Sequence, residues 1–450
     1  MQKAAALKEL NSEYEKEGNQ IVVLYGREGC EKEICIRRFL EGKEFFYYRA
    51  GEISDEEQEK RFVERIDRRY HLDPEEMDYE MYVEKMESSN GSKLVVVIDE
   101  FEHLIRKNSI FIDHMLKLKK SKKGSVMILF CSSSLVFVEH KMPSILGKAM
   151  HQIDHIYKIT ELNFIDIVRS FPDNSIRECV EIFGVAGGVP AYLKHWNPKK
   201  SVKENICEHI LSADGSLFLE AERYLRMELR ELSVYNTILT ALASDCQKLN
   251  ELHKYTGFSR AKVSVYIKNL MEFEVVEKVV SFETGGRENT KKGIYRIKNT
   301  FIHFWFKFVF PHLSDLYLDT PQRFYDRYIE GKLDAYLSRY FVQVCMEYMN
   351  LMSKAGRLPI TISKIGTWVG KDGTIDMIAQ NLVRENIIGI CNWAEEEMTY
   401  ASYQKLEELL KQARIHAGYY FFFSGKSFEP ALVQKAQSDD RITLIDMTDL

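Results

Sequence analysis

Short apolar runs alternate with amphipathic stretches along the first part of the chain. The runs Ile21–Tyr25, Leu94–Ile98 and Val126–Phe130 are aliphatic or β-branched and end at glycine, acidic or serine residues. Runs of this length between turn residues predict buried strands, and Glu44–Arg49 predicts a further strand. Apolar residues at helical spacing, as in Ile34–Leu40, predict helices between them. Strands separated by helices predict an α/β fold with a parallel sheet, whose ligand binds beyond the carboxyl ends of the strands.

The composition narrows the class of protein. The chain has 450 residues, 45% hydrophobic and 29% charged, and its net charge of -5 excludes a uniformly basic nucleic-acid binder. This length predicts about two to four domains. The apolar runs are too short to cross a membrane, and the first residues lack the apolar core of a signal peptide. The 8 cysteines lack zinc-ligand spacing, so we expect reduced thiols in a cytoplasmic protein with no membrane partner.

Carboxylates and hydroxyls follow two of the predicted strands. Asp99 and Glu100 come directly after the most apolar strand, and Ser132 and Ser133 follow the next one. Because the carboxyl ends of parallel strands meet at one edge of a sheet, these side chains are expected to lie together. At a nucleotide site the first carboxylate would hold Mg²⁺, through water, and the second would polarise the attacking water. A strand that simply ends in acidic turn residues is the alternative interpretation.

The turn after the first strand departs from a working phosphate loop, which reads Gly-x-x-x-x-Gly-Lys-Ser/Thr. Gly26 and Lys32 keep the spacing, but Glu31 replaces the second glycine and Glu33 replaces the hydroxyl residue that binds Mg²⁺. A carboxylate ~4 Å from a phosphate costs about 4 kcal/mol at an effective dielectric of about 20, roughly a thousandfold in affinity. Gly29 supplies part of the missing flexibility. We therefore expect weak nucleotide binding and little hydrolysis.

Several segments combine into a recurrent pattern. They are Tyr25-Gly26-Arg27, Ile98-Asp99-Glu100-Phe101, Ser132-Ser133-Ser134, Gly187-Gly188-Val189-Pro190-Ala191-Tyr192-Leu193, 235–243 and 293–306. Together they resemble the archaeal-type ATPases, which belong to the STAND branch of the AAA+ P-loop NTPases. The resemblance covers nearly the whole chain. It implies that Lys32 contacts phosphate, Asp99 holds Mg²⁺, Glu100 activates water, and Ser132 or Ser133 acts as a sensor.

The resemblance also implies a domain organisation. The predicted segments are a P-loop core at 1–160, a helical lid at 161–230, a winged helix at 231–300, a helical connector at 301–335 and an inactive PD-(D/E)XK nuclease-like domain at 336–450.

The residues between Lys248 and Lys298 independently predict a winged helix. This range holds 11 Lys or Arg against 6 Glu in a chain of net charge -5. The pattern predicts two helices and a hairpin, at Leu249–Tyr255, Ser259–Leu270, Val275–Phe282 and Ile294–Ile297. The basic side chains expected on the recognition helix and the wing are Arg260, Lys262, Lys268, Arg287, Lys291 and Lys292. Contact with double-stranded DNA and internal packing both fit this pattern.

The C-terminal segment lacks most of a nuclease site. The nuclease fold needs an acid on one strand and Glu-x-Lys on the next to bind Mg²⁺ and orient water. Asp376 stands at the acid position, whereas Ile390 and Asn392 stand at the glutamate and lysine positions. A single carboxylate is too little for a metal-assisted nuclease, and we expect no phosphodiester cleavage.

Two functional hypotheses follow from the sequence. The first is a P-loop ATPase-family protein that binds ATP and Mg²⁺ weakly, hydrolyses ATP slowly or not at all, and switches a winged helix that contacts DNA or protein. The second is a non-enzymatic binding or scaffold protein in which both the ATPase and the nuclease sites are degenerate. Either protein could work with a protein partner or with a second copy of itself.

Overall fold

A computed structural model defines the architecture. It describes residues 2–70, 91–105, 110–121, 126–282, 293–370 and 373–450. The chain divides into two compact units, Met1–Leu162 with Val189–Ala191, and Asn163–Gly188 with Tyr192–Leu450. Within the described ranges, no helix is both long enough and apolar enough to cross a membrane.

The first unit is built on a 5-stranded sheet of order β2-β3-β4-β1-β5, and every neighbouring pair of strands is parallel. The strands are β1 Gln20–Tyr25, β2 Phe45–Arg49, β3 Leu94–Asp99, β4 Val126–Ser132 and β5 His155–Lys158. The predicted α/β class is confirmed, and the predicted strands are present. The pattern of hydrophobic residues does not predict β5, because its side chains are only partly buried.

Helices cover both faces of this sheet. The described helices are α1 Gln2–Glu15, α2 Lys32–Leu40, α3 Asp55–Tyr70, α4 Glu102–Ile105, α5 Ile110–Ser121 and α6 Met142–Leu146, with a π turn at Phe137–Lys141 and a 3-10 turn at Gly147–Gln152. Alternate residues of β1 enter different cores: Ile21 and Val23 join one cluster, and Val22 and Leu24 join the other. Burial on both faces explains why the central strands are continuously apolar.

The second unit begins with helices. They are α7 Phe164–Ser170, α8 Ile176–Ala186, α9 Pro190–Leu193, which crosses the unit boundary, α10 Val202–Ile206, α11 Glu220–Glu228, α12 Leu232–Ala243, α13 Leu249–Thr256 and α14 Arg260–Glu272, with a π turn at Cys207–Leu211. The antiparallel strands β6 Val276–Val279 and β7 Ile294–Ile297 follow. The predicted helix pair and hairpin are therefore present, and Ser259 caps α14 by accepting a hydrogen bond from the Lys262 amide.

Further helices lead to a second sheet. The helices are α15 Thr300–Phe304, α16 Leu313–Leu318, α17 Pro321–Tyr328 and α18 Leu333–Lys354, with a π turn at Trp305–Val309 and a 3-10 turn at Phe310–His312. The sheet has the order β14-β12-β10-β9-β8. Its strands and neighbours are β8 Lys364–Val369, β9 Thr374–Gln380, β10 Asn386–Asn392, β11 Glu397–Met398, α19 Tyr400–Ala413, β12 Tyr419–Ser424, β13 Ser427–Phe428, α20 Pro430–Gln437 and β14 Ile442–Ile445. Strands β8, β9 and β10 are antiparallel, whereas β10, β12 and β14 are parallel.

Gly26 is required where β1 leaves the sheet. Its amide donates to the Ser132 carbonyl at 3.2 Å, and the Ile159 amide donates to the preceding carbonyl, that of Tyr25, at 2.7 Å. A Cβ atom on Gly26 would lie 2.5 Å from the Ile159 carbonyl oxygen. Because that oxygen belongs to the backbone, it cannot rotate away as a side chain could.

We predict that Gly26→Ala destabilises the first unit by about 1–3 kcal/mol, the usual cost of overpacking. Gly51→Ala is the matched control, because the nearest atom to a Cβ there is 4.0 Å away. Amide hydrogen exchange in β1 and β4 would measure the effect without requiring both units to unfold together. Equal exchange in the two variants would contradict the prediction.

Candidate functional site

The loop between β1 and α2 keeps the backbone conformation of a glycine where glutamate stands. Glu31 has φ 58° and ψ 35° and immediately precedes α2. Glycine adopts this left-handed region freely, whereas other residues lose roughly 1 kcal/mol there. The carbonyl of Glu31 accepts from the amides of Ile34 and Cys35, which tie the loop to the first turn of α2. Glu31 thus occupies a backbone conformation that glycine would adopt without strain.

The Gly187-Gly188-Val189-Pro190 segment meets this loop at Gly29. The Ala191 amide donates to the Gly29 carbonyl at 3.1 Å. Gly29 has φ 86°, and a Cβ there would lie 3.0 Å from both Val189 Cγ1 and Ala191 Cβ. Val189–Ala191 belong to the first unit, while Gly188 and Tyr192 on either side belong to the second. The loop is therefore hydrogen-bonded to a short segment whose chain neighbours on both sides belong to the second unit.

Lys32 is buried at the start of α2. Its side chain is 2% exposed, and its Nζ lies 2.6 Å from Ser133 Oγ and 3.4 Å from Glu100 Oε1. Burial alone would lower the pKa of Lys32, but the carboxylates of Glu100 and Asp99 raise it above its usual value. The ammonium is therefore charged and already has partners within the protein.

Glu100 accepts hydrogen bonds from more than one side. Its Oε2 accepts from the Ser133 amide at 3.0 Å, and its Oε1 accepts from Ser133 Oγ at 2.5 Å. Burial opposes the charge of Glu100, but Lys32 and the two Ser133 donors outweigh it and lower the pKa of Glu100. The predicted water activator is thus held as a stable carboxylate. A stable carboxylate is a weak base.

Glu102 is a second buried acid that the strand-end pattern does not identify. Its side chain is buried at the start of α4, and burial together with the charge of Glu100 raises the pKa of Glu102. In its protonated form Glu102 can donate to Glu100, which further favours the charge on Glu100. In the sequence, Glu102 is marked only by its position, two residues after the acidic pair at the end of β3.

Asp99 is enclosed by side chains from β2. It is 0% exposed, and its Oδ2 accepts from the Tyr47 hydroxyl at 2.7 Å. Arg49 Nη1 lies 3.8 Å from the same oxygen, and Arg49 Nη2 lies 3.8 Å from Glu100 Oε1. Burial raises the pKa of Asp99, although Lys32 and Tyr47 act in the opposite direction. The parallel register, which aligns Arg49 with Asp99, creates this arrangement.

The two remaining predicted residues lie at the margins of this cluster. Ser132 is the last residue of β4 and is fully buried, and its Oγ accepts from the Ser134 amide of the following turn at 3.0 Å. Glu33 is the second residue of α2. The structure therefore brings Lys32, Asp99, Glu100 and Ser133 together. Tyr47 and Arg49 were not identified from the sequence, because nothing in a single strand shows which strand becomes its neighbour.

The predicted DNA-contacting residues on α14 are exposed but make local contacts. Arg260 Nε donates to Asn250 Oδ1 at 2.8 Å, Lys262 Nζ lies 4.6 Å from the centre of the Phe258 ring, and Lys268 Nζ lies 3.5 Å from Glu272 Oε1. The predicted wing residues Arg287, Lys291 and Lys292 lie outside the described residues.

The end of the hairpin packs against the C-terminal sheet. The Val369 amide donates to Ser281 Oγ at 3.1 Å, and Lys364 Nζ donates to the Phe282 carbonyl at 2.6 Å. The same ammonium lies 4.0 Å from the centre of the Phe282 ring, which also packs on the core of that sheet. Ser281 and Phe282 thus take part in internal packing, which is one of the two interpretations of the helix–hairpin segment.

Asp376, the acid that remains of the nuclease pattern, lies on β9, which pairs with β10. The Cys391 amide donates to Asp376 Oδ2 at 3.0 Å. Burial raises the pKa of Asp376 to about 6, although this hydrogen bond opposes the shift. Asn392 instead bonds the backbone of Glu395, donating at 3.2 Å and accepting at 3.1 Å. Across the ranges that the structure describes, no group of 3 or more His, Cys, Asp or Glu could hold a metal ion.

Two protein families match separate parts of the chain. Residues 2–196 match the model of an ATPase domain predominantly from Archaea. Residues 305–407 match the model of archaeal and bacterial proteins of unknown function. An uncharacterized protein of Methanocaldococcus jannaschii is 29% identical over 383 residues, which cover 83% of each chain.

Several solved structures are similar at low sequence identity. The Walker-type ATPase of Pyrococcus abyssi is 15% identical with a TM-score of 0.48, over 67% of this chain and 95% of that one. The ORC2 protein of Aeropyrum pernix, in complexes with ADPNP and ADP, is 14% identical with a TM-score of 0.43, over 68% of this chain and 91% of that one. A STAND protein with a tetratricopeptide repeat sensor, from Pyrococcus horikoshii, is 13% identical with a TM-score of 0.28, over 77% and 50% of the two chains.

The raised pKa of Asp376 predicts a pH-dependent stability. Because the folded pKa of about 6 exceeds the usual value of 3.8, the folded state binds this proton more tightly than the unfolded state does. Ionisation therefore removes stability as pH rises between these two values, by up to about 3 kcal/mol. Asp376→Asn is expected to abolish this fall, whatever constant effect the amide itself has.

The thermal midpoints of the wild type and the variant are measured from pH ~4 to pH ~7, and their slopes against pH are compared. Asp440→Asn, at an exposed position of the same sheet domain, is the control and should keep the wild-type slope. A slope that is unchanged in Asp376→Asn would contradict the assignment.

Proposed function

Because residues 2–196 match an ATPase domain predominantly from Archaea, we propose that the first unit binds a nucleotide and acts as a slow switch rather than as a fast ATPase. The observation that carries this proposal is the loop, which keeps a left-handed residue at Glu31 and delivers Lys32 to the buried acid Glu100. The exposed amides at the start of a helix and a lysine beside them are the groups that bind phosphate in such loops.

Weak affinity follows from the charges around the loop. Glu31 and Glu33 flank Lys32, so a polyphosphate would approach two carboxylates as well as one ammonium. Lys32 must also exchange part of its contact with Glu100 and Ser133 for contact with phosphate. Both effects oppose binding and weaken the affinity.

Slow hydrolysis follows from the state of the general base. A base accelerates proton transfer most when its pKa lies near the operating pH. The pKa of Glu100 is lowered instead, against the effect of burial, by Lys32 and Ser133. A carboxylate with these partners orients a water molecule but removes its proton poorly. A bound nucleotide would therefore dissociate intact more often than it is hydrolysed.

The Gly29–Ala191 contact supports a switching role. A ligand shifts an equilibrium only through contacts that differ between the two states. Phosphate bound to the loop would change the environment of Gly29, whose carbonyl accepts from the Ala191 amide. Since the residues on both sides of Val189–Ala191 belong to the second unit, movement of this segment would act directly on that unit.

The exposed face of α14 is the proposed output of the switch. Arg260, Lys262 and Lys268 are exposed along it, whereas Ser281 and Phe282 at the hairpin end are engaged by β8. We propose that α14 contacts the backbone of double-stranded DNA and that the hairpin end couples the helix–hairpin segment to the C-terminal sheet. A protein partner at α14 is the competing outcome.

We predict that Glu31→Gly with Glu33→Thr strengthens ATP binding by up to roughly a thousandfold, because it removes the carboxylate nearest to phosphate. Isothermal titration of the full chain measures the affinity, and hydrogen exchange at Val189–Ala191 reports whether binding reaches that segment. Glu59→Gln with Glu64→Gln, on the exposed face of α3, removes the same charge elsewhere and should change nothing. Absence of heat from both wild type and loop variant at millimolar ATP would instead support the scaffold hypothesis.

DNA contact predicts a specific loss. Arg260→Glu with Lys262→Glu should weaken the retardation of duplex DNA at low salt and reduce the slope of log affinity against log salt by about 2. Lys194→Glu with Lys199→Glu, at exposed positions of the same unit, makes the same charge change away from α14. Wild-type protein that retards no duplex at low salt would remove DNA as the partner.

A further inference from the structure

The described residues around Asp99 do not fit the Mg²⁺ that P-loop chemistry implies. The loop position that should offer a hydroxyl ligand carries Glu33. Asp99 is 0% exposed, and one of its oxygens already accepts from Tyr47 at 2.7 Å. Mg²⁺ prefers six oxygen ligands in regular geometry and retains several waters. An enclosed carboxylate gives those waters no room.

A permanent cation lies close to both Asp99 and Glu100. The side chain of Arg49 is 57% exposed, and its two terminal nitrogens lie 3.8 Å from Asp99 Oδ2 and from Glu100 Oε1. The register of β2 on β3 fixes this position, because Arg49 is paired directly with Asp99. The guanidinium therefore spans the two acids that would otherwise hold the metal and the attacking water.

Arg49 retains donors for a further ligand. A guanidinium has five N–H donors in a planar fork, which matches the oxygens of a phosphate. Burial acts to lower the pKa of Arg49, but Asp99 and Glu100 raise it above its usual value, so the charge is permanent. Lys32 approaches the same Glu100 oxygen at 3.4 Å. Two cations thus flank one carboxylate at the edge of the loop.

We propose that the Arg49 guanidinium takes the place of the divalent cation, so that the loop binds the diphosphate or triphosphate of a nucleotide without metal. This inference rests on the proposed nucleotide-binding function. Arg49 would contact phosphate oxygens from the β2 side while Lys32 contacts them from the α2 side. A divalent ion added to this site would meet two positive side chains, and the Asp99 oxygen without a hydrogen-bond partner among the described residues, Oδ1, is itself buried.

The test is titration of the full chain with ATP in EDTA and in excess Mg²⁺. The wild-type Kd is expected to agree within about twofold between the two buffers. Arg49→Met is expected to weaken binding in EDTA by roughly tenfold or more, the usual loss for a hydrogen bond to a charged group. Arg49→Lys keeps the charge without the planar fork, so its Kd should lie between these two values.

Arg37→Met is the matched control, since Arg37 is exposed on α2 and the same charge is lost. Thermal midpoints show whether each variant is folded, and Arg49→Lys provides a second variant if Arg49→Met is not folded.

Wild-type affinity that rises tenfold or more with Mg²⁺ overturns the inference but leaves nucleotide binding intact. An unchanged Kd for folded Arg49→Met in EDTA overturns it as well. Absence of wild-type binding in both buffers removes the proposed function and this inference together.

Discussion

The need to neutralise a buried lysine determines the arrangement of the first unit's site. An isolated ammonium at the depth of Lys32 would lose several kcal/mol of hydration. Glu100 at 3.4 Å and Ser133 at 2.6 Å replace that hydration. The start of α2, the end of β3 and the turn after β4 must therefore meet at one place. Any phosphate that binds the loop has to compete for an ammonium that the fold itself requires.

The same constraint connects affinity, catalysis and metal use. Lys32 lowers the pKa of Glu100, and this makes Glu100 a stable carboxylate and a poor base. The neighbouring acid Asp99 is enclosed by Tyr47 and approached by Arg49. Charge balance at the carboxyl edge of the sheet is thus achieved by side chains alone. Such a site is suited to binding a ligand reversibly more than to turning it over.

In the second unit, residues that resemble parts of functional motifs make structural contacts instead. A hairpin end that could have formed a free wing is bound at Ser281 and Phe282 by β8. An acid that could have belonged to a nuclease is buried and accepts from the Cys391 amide. In both places a backbone amide of the same unit donates a hydrogen bond to a side-chain oxygen, that of Ser281 or of Asp376. The exposed helix face with Arg260 and Lys262 remains accessible.

Local patterns in the sequence determined the strands β1, β3 and β4, the α/β class, the helix pair around Ser259, and the spacing of Gly26 and Lys32. These features depend on residues close together in the chain, where period and turn chemistry are visible. Tertiary structure alone decided that Arg49 and Tyr47 would meet Asp99, that Glu102 would be buried beside Glu100, and that Ala191 would bond to Gly29. Each of these depends on strand order, burial or a distant segment. No local pattern specifies which strand becomes a neighbour, and that choice determined the charges around the site.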